Sequence, residues 1–379
     1  MAMMAIPGKS GQEGQIVEFT RDRLRKAGVP AAAITTDQVH RKTPLAGEIG
    51  NLICKLPGTR RGPRRMLVGH VDTVPLCVGS KPVLRGRLVQ SADKTTGLGA
   101  DNRAGAAVLL ASALEIVSRD LSHPPLTFFW PVQEEVGLHG ARLVALSQLG
   151  SPRLAFNFDG GAPDKLTVGA TGAYRISIDV FGLASHAGGA PEAGVSAVTI
   201  AALGIADLHA GGWLGDVQKN GHHGTSNVGH VTGGGATNVV TDHVQLKAEA
   251  RSHNAAFRRR MLKEIESAFR RAAAAVQNVE GRPGKAKIES RLDYDAFRLA
   301  DDEPCVLAAE SAVRSIGLEP LRAIANGGVD ANWLTARGIP TVTLGCGQMN
   351  VHTANERLDV DRFLQSCRIG LRLATASEE

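Results

Sequence analysis

The sequence predicts an α/β protein with a mixed, largely parallel sheet flanked by helices and interrupted by an inserted α+β unit. Three observations predict it. Short apolar runs at 66–72, 126–132 and 154–158 alternate with helical patterns, as strands buried on both faces do. From 173 onward the pattern changes: Tyr174, Ile176, Ile178 and Val180 alternate with polar residues, as on a strand with one wet face. After Asp301 the first pattern resumes, with a strand at 340–344 between two helices. One α/β domain, 1–170 plus 298–379, therefore surrounds an insert at 171–297.

The elements follow in order. Residues 12–26 place Ile16, Val17, Phe19 and Leu24 on one side of a helix that Gly28-Val29-Pro30 stops. Residues 51–56 read as a strand, and 104–117 as an Ala/Leu-rich helix. Within the insert, the spacing predicts a strand at 173–181, a helix at 191–208, a loop at 211–224 and strands at 226–231 and 239–249. An amphipathic helix at 255–276 spaces Phe257, Met261, Ile265 and Phe269 by four, and a strand at 285–292 closes the unit. This β-α-β-β-α-β order is ferredoxin-like. Helices at 305–316 and 361–374 complete the outer domain.

Composition narrows the function classes. The chain has 379 residues, 43% hydrophobic and 21% charged, which suits a folded protein of about two domains. Aromatics at 4% argue against stacking platforms for single-stranded nucleic acid. The net charge is +6, and clusters such as Arg258-Arg259-Arg260 read as solvated faces, so no nucleic-acid partner is expected. Five scattered cysteines without a CxxC pair suggest reduced thiols and a cytoplasmic setting. No apolar run has the length of a membrane span, and 1–14 lacks the apolar core of a secretory signal, so no membrane partner is expected.

The informative feature is where His, Asp and Glu fall. His70 and Asp72 close one apolar run, Glu134 and Glu135 follow a second, and Asp159 ends a third. Asp101 stands just before a helix, and His352 follows the late strand and its glycine loop. Ligands of open α/β sheets sit outside the carboxyl ends of strands, so these side chains converge. Each has a plain structural reading alone: Asp101 as a helix cap, His70 as a core histidine, Asp72 and Asp159 as turn residues, Glu134-Glu135 as solvated. All of these readings would have to hold independently. Carboxylates with imidazole suit Zn²⁺, Mn²⁺ or Co²⁺, and no Cys occupies these positions.

The motifs His70-Val71-Asp72-Thr73, Gly99-Ala100-Asp101-Asn102, Glu134-Glu135-Val136-Gly137, Phe158-Asp159-Gly160-Gly161 and Val351-His352-Thr353 together resemble those of the di-zinc exopeptidase, aminoacylase and carboxypeptidase family. The resemblance runs over essentially the whole chain. It implies a zinc exopeptidase-like catalytic domain and an insert serving as lid and dimerisation domain. It implies two Zn²⁺, or Co²⁺ or Mn²⁺ in their place. Asp101 would bridge the metals, His70 and Asp159 would complete one shell, and Glu135 and His352 the other. Glu134 would be the general base on a metal-bridging water, with Asp72 orienting His70. Adjacent Glu134 and Glu135 point to opposite sides of an extended chain, which fits one base plus one ligand.

Further roles rest on the same resemblance. Ser185-His186-Ala187-Gly188 looks like the family's lid motif, which makes His186 the donor to the oxyanion. Gly233-Gly234-Gly235-Ala236-Thr237-Asn238 looks like a substrate loop with Asn238 as its contact. Arg251 matches a position that binds a substrate carboxylate, a group its guanidinium fork suits. Gly328, in Asn326-Gly327-Gly328-Val329-Asp330, would approach substrate by its backbone. His222 and His223 read as loop residues. Asp159-Gly160-Gly161, Gly327-Gly328-Val329-Asp330 and Tyr294-Asp295 are similar to the peptidase T branch, which implies a tripeptide aminopeptidase acting on short peptides. The Thr237-Asn238-Val239-Val240 loop, Asn326 in place of Arg, and Asn102 in place of Asp depart from that branch. An N-acyl-amino-acid amidohydrolase or carboxypeptidase is the alternative, and a non-catalytic peptide-binding relative a remoter one. Family members pair through the insert in many cases, so a homodimer is one expected state.

Overall fold

The computed structural model describes residues 1–376. The chain divides into two compact units, Met1–Ala170 with the chain from Phe297 onward, and Thr171–Ala296.

In the first unit, a nine-stranded sheet is built around four mutually parallel strands: Leu126–Trp130, Arg65–Val68, Leu154–Phe158 and Thr341–Leu344. Antiparallel strands flank them, Leu52–Leu56 on one side and Lys165–Ala170 on the other. The continuous apolar runs have a direct cause. Met66 and Val68 join one hydrophobic layer with Phe129, Ala155 and Leu334, while Leu67 joins the opposite layer with Phe128 and Phe156. Helices Ala100–Ser118, Pro304–Arg314 and Val360–Thr375 cover that second face. The mixed, largely parallel sheet flanked by helices is therefore as the sequence predicts.

Two glycines set how closely helix and strands approach. A Cβ on Gly105 would stand 2.0 Å from the carbonyl oxygen of Phe158, and one on Gly69 would stand 2.9 Å from the Gly105 carbonyl carbon. Helix Ala100–Ser118 therefore seats directly against the ends of strands Arg65–Val68 and Leu154–Phe158. That seating brings Asp101 to the same end of the sheet as His70 and Asp159.

Some details differ from expectation. Strand Arg65–Val68 stops before His70, although Gly69 and Val71 still donate to the carbonyls of Phe129 and Pro131. Strands Lys165–Ala170 and Leu321–Ala325, helix Asp330–Ala336 and a four-stranded sheet that includes Leu88–Ser91 and Arg357–Asp359 were not predicted. Apart from Lys165–Ala170, which is buried beyond its first residue, these elements are short and mixed in polarity, so no periodicity marks them.

The second unit is a five-stranded antiparallel sheet in the order Gly215–Lys219, His222–Gly233, His243–Ser252, Gly172–Phe181, Lys285–Tyr294. Helices Ala197–Ala210 and Ala255–Ala275 bury Ile200, Ile265 and Phe269 against Ile176, Ile178, Val180 and Leu246. Asn254 caps the second helix by accepting the Phe257 N–H at 2.9 Å. The expected loop at 211–224 instead holds a hairpin. Lys219 pairs with His222, and Asn220 and Gly221 between them have φ of 51° and 75°. Asn-Gly is the pairing that a two-residue hairpin turn favours. The insert thus carries one strand more than the ferredoxin-like order, and His222 and His223 begin a strand rather than lie in a loop. The expected helix at 191–208 is a single turn at Pro191–Ala193 followed by a helix from Ala197, which Ser196 caps through the Thr199 N–H. The strand expected from 239 begins at His243.

Candidate metal centre

The carboxyl ends of the four parallel strands gather His70, Asp101, Glu134, Glu135, Asp159 and His352. Two sets of potential ligand atoms lie within 4.8 Å of one another: His70, Asp101 and Asp159, and Asp101, Glu135 and His352. Asp101 belongs to both, and its two oxygens divide between them. Oδ1 lies 3.4 Å from His70 Nε2, and Oδ2 lies 3.3 Å from His352 Nε2. His70 Nε2 is also 3.8 Å from Glu134 Oε2 and 3.9 Å from Asp159 Oδ2. His352 Nε2 is 3.0 Å from Glu135 Oε2. Asp101, Glu134, Glu135, Asp159 and His352, together with Gly328 and Val329, line a pocket of about 250 Å³.

The local structure explains why Asp101 is free for this. The helix that follows it is capped by its neighbour: Asn102 Oδ1 accepts the Gly105 N–H at 3.0 Å, while Asn102 Nδ2 donates to the Phe158 carbonyl at 2.8 Å. The capping alternative for Asp101 is thereby filled by Asn102.

Asp72 is a fully buried hub. Its Oδ1 lies 3.3 Å from His70 Nδ1 and accepts the Glu134 N–H at 3.0 Å. Its Oδ2 accepts the Ser10 hydroxyl at 2.6 Å and the Glu135 N–H at 3.2 Å. One carboxylate thus aligns His70 and the backbone of the Glu134-Glu135 pair. Glu13, also buried, accepts the N–H groups of Gly11 and Gln133 at 2.8 and 3.1 Å, and burial beside Asp72 pushes it up to about 8. Arg103 donates to the carbonyls of Met3 and Gly8, each at 3.2 Å, so residues 3–13 are tied to the back of the centre. Gln348 and Glu356, on either side of His352, hold the Asp101 segment from the front. Ser10, Glu13, Gln348 and Glu356 were not predicted, because each acts through backbone or another side chain and none follows the carboxyl end of an apolar run. Asp330, also missed, is buried with neither carboxylate oxygen hydrogen-bonded.

The electrostatics are those of crowded acids. Burial raises Glu134 and Asp159 well above the usual carboxylate range, and neighbouring carboxylates add to it. Asp330 is pushed up to about 7 for the same reasons. Asp101 is only partly exposed too, yet the His352 and His70 imidazoles facing it hold it low. His352 is lifted to about 10 by Asp101 and Glu135. Carboxylates do not crowd in this way without positive charge among them. Asp101 Oδ1 is buried and accepts no hydrogen bond, although an imidazole faces it at 3.4 Å. Hard oxygen and imidazole donors facing one another across such gaps fit divalent cations.

His186 is exposed, and its Nδ1 accepts the N–H groups of Gly188 and Gly189 at 3.1 and 2.9 Å. It pairs with Val239, and the Ala187 N–H donates to the Asn238 carbonyl at 2.9 Å, so the His186 and Asn238 segments are neighbours. Arg251 donates through Nε and Nη2 to both oxygens of Glu249, each at 2.9 Å.

A sheet that gathers such ligands at its strand ends, with a second α+β unit, is the architecture of a metal-dependent hydrolase. The chain belongs to the peptidase family M20/M25/M40, which it matches over residues 66–376. It is 33% identical over 370 residues to Uncharacterized protein YqjE of Bacillus subtilis (strain 168), covering 97% of this chain and 94% of that protein. Among solved structures, a tripeptidase from Staphylococcus aureus subsp. aureus Mu50 has a TM-score of 0.85 at 30% identity, covering 99% of this chain and 95% of that one. Aminopeptidase PepT from Bacillus cereus ATCC 10987 has a TM-score of 0.81 at 31% identity, covering 99% and 96%. Among the described residues, no helix is long and apolar enough to cross a membrane.

Proposed function

We propose that this chain is a metal-dependent exopeptidase that hydrolyses an amide bond of short peptides, with tripeptides as its first class of substrate. The observation that carries the reading is the division of the Asp101 carboxylate between two histidine-containing ligand sets. His70, Asp101 and Asp159 would hold one cation, and Asp101, Glu135 and His352 the other, with Zn²⁺ favoured over Co²⁺ or Mn²⁺ by the imidazole content. Bound there, the cations supply Lewis acidity toward water and toward the scissile carbonyl.

The chain's own groups do the rest. Glu134 takes the proton that the attacking water loses and delivers it to the leaving amine, a role that its buried place in the pocket beside both ligand sets supports. Asp72 fixes the ring of His70 and, through the Glu134 N–H, the position of the base. His186 would donate to the oxyanion: with Nδ1 occupied as an acceptor, its proton is on Nε2. Asn238 would contact the substrate beside it, and Gly328 would do so through its backbone. Arg251 would bind a substrate carboxylate by exchanging its bond to Glu249. The tripeptidase and the aminopeptidase among the solved relatives favour an aminopeptidase over a carboxypeptidase or N-acyl-amino-acid amidohydrolase.

Five free cysteines support a reducing, cytoplasmic setting. The exposed Val198 and Leu203 on helix Ala197–Ala210 support a homodimer through the insert, which light scattering on the purified chain would test. For the activity, tripeptides, amine-blocked tripeptides and N-acyl amino acids are compared before and after chelation. Cleavage of free-amine tripeptides that chelation abolishes and Zn²⁺ restores is expected. Cleavage indifferent to chelation, or confined to N-acyl amino acids, overturns the reading.

A further inference from the structure

Glu356 lies four residues past His352 in a buried position, and none of the ligand sets includes it. Its Oε2 accepts the Gly99 N–H at 2.7 Å, and its Oε1 accepts the Asp101 N–H at 2.9 Å. The Cys77 thiol lies 3.5 Å from Oε2 as a further donor. Gly99 has a left-handed φ of 77°, which turns the chain so that both N–H groups meet one carboxylate. Gln348, four residues before His352, grips the same loop from the other side. Its Nε2 donates to the Ala100 carbonyl at 3.0 Å and to Asn102 Oδ1 at 2.8 Å, while its Oε1 accepts the Gly160 N–H at 2.8 Å.

We propose that Glu356, seconded by Gln348, is a positioning residue that sets the Asp101 carboxylate between the two ligand sets and fastens it to the His352 segment. The proposal rests on the metal-centre reading and deepens it. A bridging carboxylate must hold two directions at once, so a rotation of its backbone misdirects both oxygens. Side-chain torsions alone do not hold it, because Asp101 has no cap role and its Oδ1 meets only the His70 ring, at 3.4 Å. Glu356 fixes the backbone on which that side chain turns. Because Glu356 and His352 share one short segment, the same bond sets the distance between the shared ligand and the outer histidine. Gln348 extends the tie to Gly160, next to Asp159. The three ligand loops at Asp101, Asp159 and His352 are thus joined by hydrogen bonds of the protein itself.

The test is metal titration of the chelated, folded protein with Zn²⁺ against a chromophoric competitor, and with Co²⁺ followed by its visible absorption. Glu356→Gln keeps the volume but turns an amide NH₂ toward one of the two N–H donors. Affinity for both ions is expected to fall by about 10- to 100-fold, the range for groups that orient ligands. The Co²⁺ spectrum is expected to change, and saturating metal is expected to recover most of the peptidase rate. Two ions bound by E356Q with wild-type affinity and an unchanged Co²⁺ spectrum would falsify the proposal. If E356Q does not fold, Glu356→Asp, which withdraws the carboxylate by one methylene, is measured instead under the same criterion. Asp101→Asn separates the two readings. Metal lost in D101N but held normally in E356Q ends this proposal alone, whereas metal held normally in D101N ends the metal-centre reading itself.

Discussion

The two ligand sets share Asp101 but live in different surroundings. His70 is 1% exposed, and its ring is bracketed by Asp72 behind and Asp101 in front. His352 is 50% exposed, has a φ of 63°, and stands on a turn between short strands. The first set is built into the parallel sheet and its glycine-seated helix, the second into a loop that Gln348 and Glu356 tie down. The difference teaches that one cation would be held by the core of the fold and the other by a clasp on its surface. The inner ion is therefore expected to be retained and the outer one to exchange.

The largest effect tests what the two sets share. Asp101→Asn is expected to abolish binding of both ions and to lower kcat/KM by at least about 1000-fold, since Lewis-acid stabilisation is worth several kcal/mol. Retention of one tightly bound ion in that variant, by elemental analysis, would break the shared-ligand arrangement. Next is Glu134→Ala, which should cut kcat by about 10²- to 10⁴-fold while both ions stay bound. Lost metal there would make Glu134 a ligand rather than a base.

His352→Ala against His70→Ala sharpens the comparison directly. The first should leave one ion per chain after dialysis and an unaltered melting temperature. The second should lose the inner ion and, by emptying a buried position, destabilise the fold by about 2–4 kcal/mol. Equal behaviour of the two variants removes the distinction. Ser10→Ala should have a smaller effect, about tenfold or less in metal affinity, since Ser10 acts only through Asp72.

The smallest effect is on pH and stability. In the metal-free protein Glu13 is raised to about 8 and Asp330 to about 7, first by burial, and His352 to about 10 by its carboxylate partners. Each group keeps in the folded state a proton that the unfolded chain releases. Their stabilising contribution is thus complete below the unfolded values and is lost as pH rises through the folded ones. The urea midpoint of chelated protein should fall between about pH 5 and about pH 9. A midpoint that rises over that span contradicts the assignment.

Much of this was legible in the sequence because burial writes a simple signal. A strand covered on both faces, such as Arg65–Val68, must be apolar throughout, so the polar residues just past it stand out. The ligands were therefore visible as breaks in apolar runs, at His70, Glu134-Glu135 and Asp159. The supporting residues were not visible. Ser10, Glu13, Gln348 and Glu356 work through backbone N–H groups or other side chains, and contacts such as Ser10 to Asp72 span distances in sequence that periodicity does not report. The extra hairpin had a local signal, Asn220-Gly221, which the exposed polar sequence around it obscured.

The ties at the chain's first residues bear on how the protein is handled. The Thr73 carbonyl accepts the Ser10 N–H and the Thr73 N–H donates to the Gly8 carbonyl, Arg103 reaches the carbonyls of Met3 and Gly8, and Ser10 completes Asp72. Trimming that arm, or fusing a bulky tag where it threads inward, unsettles His70 from behind without touching any substrate. A shortened preparation that has gone silent would then report a loosened imidazole, and added zinc should partly revive it.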